Sequence, residues 1–179
     1  MLFCGEKQLL LETQSAPANP FVDRGGLLAM FRGVNNVNLD AKGRLAIPTR
    51  YRELLTDHCS GKMVVTIDTE ERCLLIYPQP EWEDIQRKIE ALPSFNVAAR
   101  RIQRLLIGHA TDIPMDGSGR ILLTPPLRDY AGLDKKTVLL GQGNKLELWS
   151  EDIWSDRRDT WLDEKSGLEI PDELKTLSL

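Results

Sequence analysis

The chain carries one short pattern twice, and that repetition constrains its fold more than any other feature. Leu39-Asp40-Ala41-Lys42-Gly43-Arg44-Leu45-Ala46-Ile47 is matched by Met115-Asp116-Gly117-Ser118-Gly119-Arg120-Ile121-Leu122-Leu123 at an offset of 76 residues. At the same offset Arg52-Glu53 falls on Arg128-Asp129. After a shorter second loop, Tyr77 falls on Trp149 and Trp82 on Trp154, at an offset of 72. Four matches in the same order point to two copies of one small unit.

Each copy reads as strand, tight glycine turn, strand, short helix and two further strands. In copy one the elements are predicted at Val34 to Asp40, Arg44 to Ile47, Pro48 to Leu55, Met63 to Ile67 and Cys73 to Tyr77. Pro48 is placed to start the helix. In copy two they are Thr111 to Asp116, Arg120 to Leu123, Pro125 to Tyr130, Thr137 to Leu140 and Lys145 to Trp149. Gly141-Gln142-Gly143-Asn144 is the predicted turn of the last hairpin.

Helix is predicted after each copy. Pro80 to Leu92 puts Trp82, Ile85, Ile89 and Leu92 on one face and offers Glu83/Arg87 and Asp84/Lys88 pairs at i,i+4. Pro93-Ser94 breaks it. A second helix runs from Asn96 to Ile107 and ends at Gly108. The last runs from Glu151 to Asp163 with Ser150 as N-cap. A unit of roughly 50 residues buries too little surface alone, so the copies are expected to pack together or exchange elements into a shared core.

These readings divide the chain into an extension at 1–29, a first module at 30–80, a helical connector at 81–108, a second module at 109–154, and a helix with an acidic tail at 155–179. The extension holds a Pro-containing polar stretch, Gln14 to Pro20, and Gly25-Gly26, with no sustained periodicity. Met30 is followed at once by patterned sequence and is an alternative start.

Composition excludes several classes. No apolar run nears the roughly 20 residues that cross a bilayer, and Glu6 and Lys7 interrupt any secretory core. Cys4, Cys59 and Cys73 are odd in number and far apart, as in reduced cytosolic proteins. Net charge is -4, but nine acidic against four basic side chains from Glu151 onward account for it. From Met30 to Ser60 five basic residues (Arg32, Lys42, Arg44, Arg50, Arg52) face three acidic ones (Asp40, Glu53, Asp57). Local charge is what meets a phosphate.

The Asp-x-x-Gly-Arg turn has a structural reading and a chemical one. Asp40 and Asp116 supply carboxylates that can accept backbone N–H groups two or three residues on, and Gly43 and Gly119 supply positive φ. Period-two alternation sends Leu45 and Ile47 inward and Arg44 and Ala46 outward. Lys42 lies in the tip. Asn36 and Asn38 alternate with Val37 and Leu39 on the preceding strand. A two-stranded ribbon fits the major groove of B-DNA, where Arg reads guanine, Asn reads adenine and Lys holds phosphate. On residue chemistry alone Arg44 fits a fold device or a DNA contact equally. Arg120 is read as structural, because Ser118 replaces the tip lysine.

Met30-Phe31-Arg32-Gly33, Leu39 to Arg44, Ile47-Pro48, Arg50-Tyr51-Arg52-Glu53 and the second turn, Asp116 to Arg120, together resemble the MraZ family of bacterial transcriptional regulators, from about Met30 to Trp161. The resemblance implies a mainly β fold with helices (α+β): two AbrB-like, swapped-hairpin or double-psi-type β modules in tandem. It also implies ring-shaped homo-oligomers and sequence-specific binding of double-stranded DNA at short direct repeats upstream of the division and cell-wall gene cluster. Repression and a cytoplasmic, nucleoid-associated address come with it. Family DNA contacts carry over to Arg32, Lys42 and Arg44, and Asn38 is added from strand alternation. Asp40, Gly43, Asp116, Gly119 and Arg120 are the turn-forming residues. The extension before Met30 departs from the family and would lie beside the DNA-binding element.

An enzyme reading finds no nucleophile with a base, no carboxylate pair and no phosphate loop, so no catalytic residue, cofactor, metal or small-molecule substrate is expected. His58-Cys59 and His109 lack the spacing of a metal site. Trp82 and Trp154 are read as packing residues, and Arg100, Arg101 and Arg104 as a solvated face or subunit interface. The rival from another class is an antitoxin-like or protein-interaction module on the same fold. Action on an RNA-methylating enzyme or another regulator is a third reading.

Overall fold

The structure, a computed structural model, describes residues 31–163. The 1–29 extension, Met30, Cys4 and the tail beyond Asp163 lie outside them. The order is β1 (Phe31–Asn38), β2 (Arg44–Ala46), α1 (Thr49–Cys59), β3 (Lys62–Ile67), β4 (Leu74–Pro78), α2 (Gln79–Glu90), α3 (Val97–Ile102), a π-helical turn (Gln103–Ile107), β5 (Thr111–Pro114), β6 (Arg120–Leu122), α4 (Pro125–Tyr130), β7 (Lys136–Gly143), β8 (Lys145–Ser150) and α5 (Glu151–Asp163). The fold is α+β and dominated by antiparallel sheet.

Strand pairing exchanges elements between the copies. A six-stranded sheet runs β1-β7-β8-β4-β3-β5, and β2 pairs with β6 in a separate two-stranded ribbon. Replacing every strand by its counterpart in the other copy gives the same sheet order reversed. The pseudo-twofold axis therefore passes between β4 and β8 and through the β2·β6 ribbon. Every one of the first strands finds its ladder in the other copy: β1 on β7, β5 on β3, and β2 on β6.

The central strands read as near-continuous apolar runs because both sheet faces are covered. Met63, Val65 and Ile67 of β3 join Leu74, Ile76, Leu139, Leu146 and Leu148 in a core closed by β2, β6, α1 and α4. Val64, Leu75, Val138 and Trp149 point the other way, against Trp82 of α2 and Ile153 and Trp154 of α5. At the ribbon's centre Leu45 lies opposite Ile121, both with almost no exposure. Burying each contributes roughly 1.5–3 kcal/mol.

Several boundaries differ from expectation for identifiable reasons. Helix α1 runs one turn past Leu55 because Cys59 is buried on the same face, and Ser60 (φ 53°) and Gly61 (φ 71°) then end it. Strand β7 continues through Gly143, and the hairpin turn shrinks to Gly143-Asn144 because Gln142 pairs with Lys145. That extension gives β1 its full ladder. Gly141 is required there, since a Cβ would come within 2.4 Å of the Arg32 backbone nitrogen.

The helix predicted over 96–107 starts as expected, with Asn96 Oδ1 accepting from Ala98 N and Ala99 N. It then widens into the π-helical turn, where Thr66 Oγ1 donates to the Leu106 carbonyl at 2.6 Å and His109 Nδ1 lies 2.9 Å from the Leu105 carbonyl. In α2 the Arg87 guanidinium forms its ion pair with Asp84 at i,i+3 rather than with the Glu83 carboxylate, while its Nε donates to the Glu83 carbonyl. Leu92, expected on its apolar face, falls beyond the helix and is exposed.

Candidate nucleic-acid interface

Both Asp-x-x-Gly-Arg turns are built alike. Asp40 Oδ1 accepts the N–H groups of Lys42 and Arg44, each at 2.9 Å, and Oδ2 accepts Arg44 Nε at 2.7 Å. Gly43 N donates to the Asp40 carbonyl with φ at 79°. In the second turn Asp116 Oδ1 accepts from Ser118 N at 2.8 Å and Arg120 N at 2.9 Å, Oδ2 accepts Arg120 Nε at 3.1 Å, and Gly119 has φ 73°. The short carboxylate and the glycine thus shape each tip.

The Arg44 backbone N–H, followed by its guanidinium and the Lys42 N–H, holds the Asp40 carboxyl below its usual pKa of 3.8. Asp116 is lowered in the same way, first by the Arg120 backbone N–H. A depressed carboxylate favours the folded turn above its ordinary pKa, and this contribution is lost as pH falls through the lowered value. Carboxylate NMR titration is expected to place both midpoints below 3.8; a midpoint at or above the ordinary value would contradict this construction.

The alternatives left open for Arg44 turn out to be compatible. Its Nε is occupied by Asp40, while its terminal amino groups make no hydrogen bond among the described residues, and about a third of the side chain is exposed. The carboxylate therefore orients the guanidinium and leaves its outer edge available for two parallel hydrogen bonds. Lys42 is exposed in the tip.

The ribbon register adds what neither copy could reveal alone. Arg44 pairs with Leu122 and Ala46 with Arg120, so Arg44 and Arg120 are diagonal neighbours on one outward face with Ala46 and Leu122. Leu45 and Ile121 occupy the inner face. Sequence alternation placed Arg44 outward and left Arg120 as a turn residue; the cross-copy pairing brings the two together on one face.

Asn38 and Arg32 share the outward face of β1 and are exposed, yet they stand six residues apart, roughly 20 Å along the strand. One chain therefore groups Lys42 and Arg44 at the turn and places Arg32 at the other end of β1. Beside that end lies Arg50, which was not singled out as a contact. Its Nη2 donates to Asn35 Oδ1 and Tyr51 Oη, both at 2.8 Å, and its guanidinium stacks 4.7 Å from the Tyr51 ring centre. Tyr51 Oη in turn donates to the Arg32 carbonyl at 2.6 Å.

The surroundings of the two turns differ. A cleft of about 440 Å³ beside the first is lined by Asp40, Ala41, Arg128, Asp134 and Lys135. The corresponding cleft at the second, about 380 Å³, contains Arg52, Thr56, Ser60, Ser118 and Gly119. Lys42 and Lys135 give the first turn cations that the second lacks. Nothing in the sequence pattern signalled Lys135, which precedes β7.

The other candidate signals resolve into packing. His58 Nε2 lies 2.5 Å from Glu81 Oε1, Cys59 is buried with Sγ donating to the Leu55 carbonyl, and no group of metal ligands occurs among the described residues. Trp82 packs on Tyr77, and Trp154 on Trp149 and Trp161. Arg100, Arg101 and Arg104 are exposed. No described helix is long and apolar enough to cross a membrane.

Comparison with known proteins follows the same twofold division. A family model described as "MraZ protein, putative antitoxin-like" matches twice, over residues 30–105 and 106–173. The chain belongs to the MraZ family. It is 58% identical over 152 residues to the transcriptional regulator MraZ of Halorhodospira halophila, covering 84% of this chain and all of that protein. The transcriptional regulator MraZ of Thioalkalivibrio sulfidiphilus is 56% identical over 151 residues and that of Coxiella burnetii 57% over 152, with the same coverage. Each MraZ repeat thus corresponds to one of the two copies whose strands interleave here.

Proposed function

We propose that this chain is a sequence-specific DNA-binding transcriptional regulator whose first Asp-x-x-Gly-Arg turn reads bases in the major groove. The observation that carries the reading is the Asp40-oriented Arg44 guanidinium on an exposed ribbon, with its outer edge unpaired among the described residues and Lys42 beside it. Arg44 takes the role of guanine reader, Lys42 that of phosphate contact, and Asn38 and Arg32 extend the surface along β1. The relatives' name, transcriptional regulator, supports the class.

The finer reading is repression through short direct repeats upstream of the division and cell-wall gene cluster, by a ring-shaped homo-oligomer in the cytoplasm and nucleoid. Equivalent turns on successive subunits would engage successive repeats, and weak contacts would add through effective concentration. The roughly 20 Å between Arg32 and Asn38 supports a surface that spans more than one contact point.

The test is a gel-shift titration of the full chain with a duplex from upstream of its own coding sequence and a scrambled duplex of equal length, paired with a mass measurement of the complex. Preference for the native duplex with several chains bound is expected. Equal affinity for both would overturn sequence-specific reading. The family description also favours a second reading, an antitoxin-like protein-binding module, which predicts no preference for the native duplex and capture of a protein partner.

A further inference from the structure

We infer that Arg128, on helix α4 of the second copy, is the positioning residue for the first turn. This inference rests on the reading that the first turn contacts DNA. Gly43 is buried at the base of that turn, and a Cβ there would lie 2.9 Å from Arg128 Nε and 3.0 Å from Cζ. The Arg128 guanidinium thus forms the floor on which the backbone between Lys42 and Arg44 rests. The Leu123 N–H ties the same glycine down by donating to its carbonyl at 3.0 Å. Both supports come from the other copy.

The pseudo-twofold relation supplies a control within the same molecule. Arg52 on α1 lies under Gly119 as Arg128 lies under Gly43, and Ile47 N donates to the Gly119 carbonyl at 2.9 Å. The two arginines are nonetheless held differently. Arg52 Nε donates to the Ile47 carbonyl at 2.6 Å, whereas the buried Arg128 Nε has no hydrogen-bond partner among the described residues. Arg128 therefore acts through its planar contact with the turn. A reader held this way enters the groove already ordered, and removing the floor would require the tip to be ordered on binding.

The experiment measures, for the full chain, the ratio of affinities for a duplex from upstream of its own coding sequence and for a scrambled duplex, at fixed salt. Arg128→Ala and Arg128→Lys are each expected to lower this ratio at least fivefold, the lysine failing to rescue because it keeps the charge without the planar group. Arg52→Ala removes the same side chain from beneath the second turn and is expected to change the ratio less than twofold. Thermal unfolding of each variant identifies the folded ones, and Arg128→Lys serves where alanine does not fold. A folded Arg128 variant with the wild-type ratio would overturn the inference, as would an equal loss in Arg52→Ala. Arg44→Ala in the same assay separates the two failures. If it keeps the ratio, the first-turn reading fails and takes this inference with it; if it loses the ratio while Arg128 variants do not, only the positioning role fails.

Discussion

Expressed alone, residues 30–105 are expected not to form a folded monomer. All eight residues of β1 pair with β7, β2 pairs with β6, and β3 pairs on one side with β5, all in the missing half. Only the β3·β4 hairpin and the helices would remain, and a two-stranded hairpin is marginal in water. Leu45 and Ile47 would lose the Ile121 and Leu123 surface that closes the core around them. Circular dichroism with size measurement should find the fragment either unfolded or self-paired as a dimer, since a second copy of the same strands can occupy the vacated positions. Adding residues 106–173 should restore a one-to-one complex. A monomeric fragment with cooperative unfolding would contradict the interleaved sheet.

Arg44→Ala is expected to remove sequence-specific DNA binding and leave fold and assembly intact. The side chain projects from the outer face of the ribbon and packs no core, so its loss costs the turn one solvent-screened ion pair of little weight. A bidentate contact to guanine is worth about 1–3 kcal/mol, roughly five- to 150-fold in affinity per turn, and more where several subunits engage one duplex. Lys42→Ala should act differently. It should weaken binding to native and scrambled duplexes alike and lower the salt dependence by about one unit of log–log slope per turn engaged.

How far the sequence foretold this structure depends on the range over which each interaction acts. The turns were legible because their determinants lie within five residues: carboxylate, glycine and alternating apolar positions. The burial of Leu45 and Ile47 beside outward Arg44 followed from period-two alternation for the same reason. Partner choice was not legible, because β1 finds β7 a hundred residues away and nothing local distinguishes that pairing from a closed module. Hence Arg44 could be placed outward but not beside Arg120. Gly141 suggested a turn by composition, whereas its place was fixed by the close approach of β1. The π-helical turn likewise depends on Thr66, whose bond to the Leu106 carbonyl arises only in the assembled fold.

The repeat shows two turns of the same construction, of which only the first is proposed to read DNA. Arg44 and Arg120 have the same carboxylate clamp and similar exposure, so neither geometry nor burial separates them. The difference lies in the cations beside the first turn, Lys42 and Lys135. The most direct test compares Arg44→Ala with Arg120→Ala, each in correctly assembled full chain, for affinity toward the native upstream duplex. Loss of specific binding is expected for Arg44→Ala, with Arg120→Ala retaining it at a similarly small cost to the fold. Equal loss in both variants, or unchanged affinity in Arg44→Ala, would contradict it.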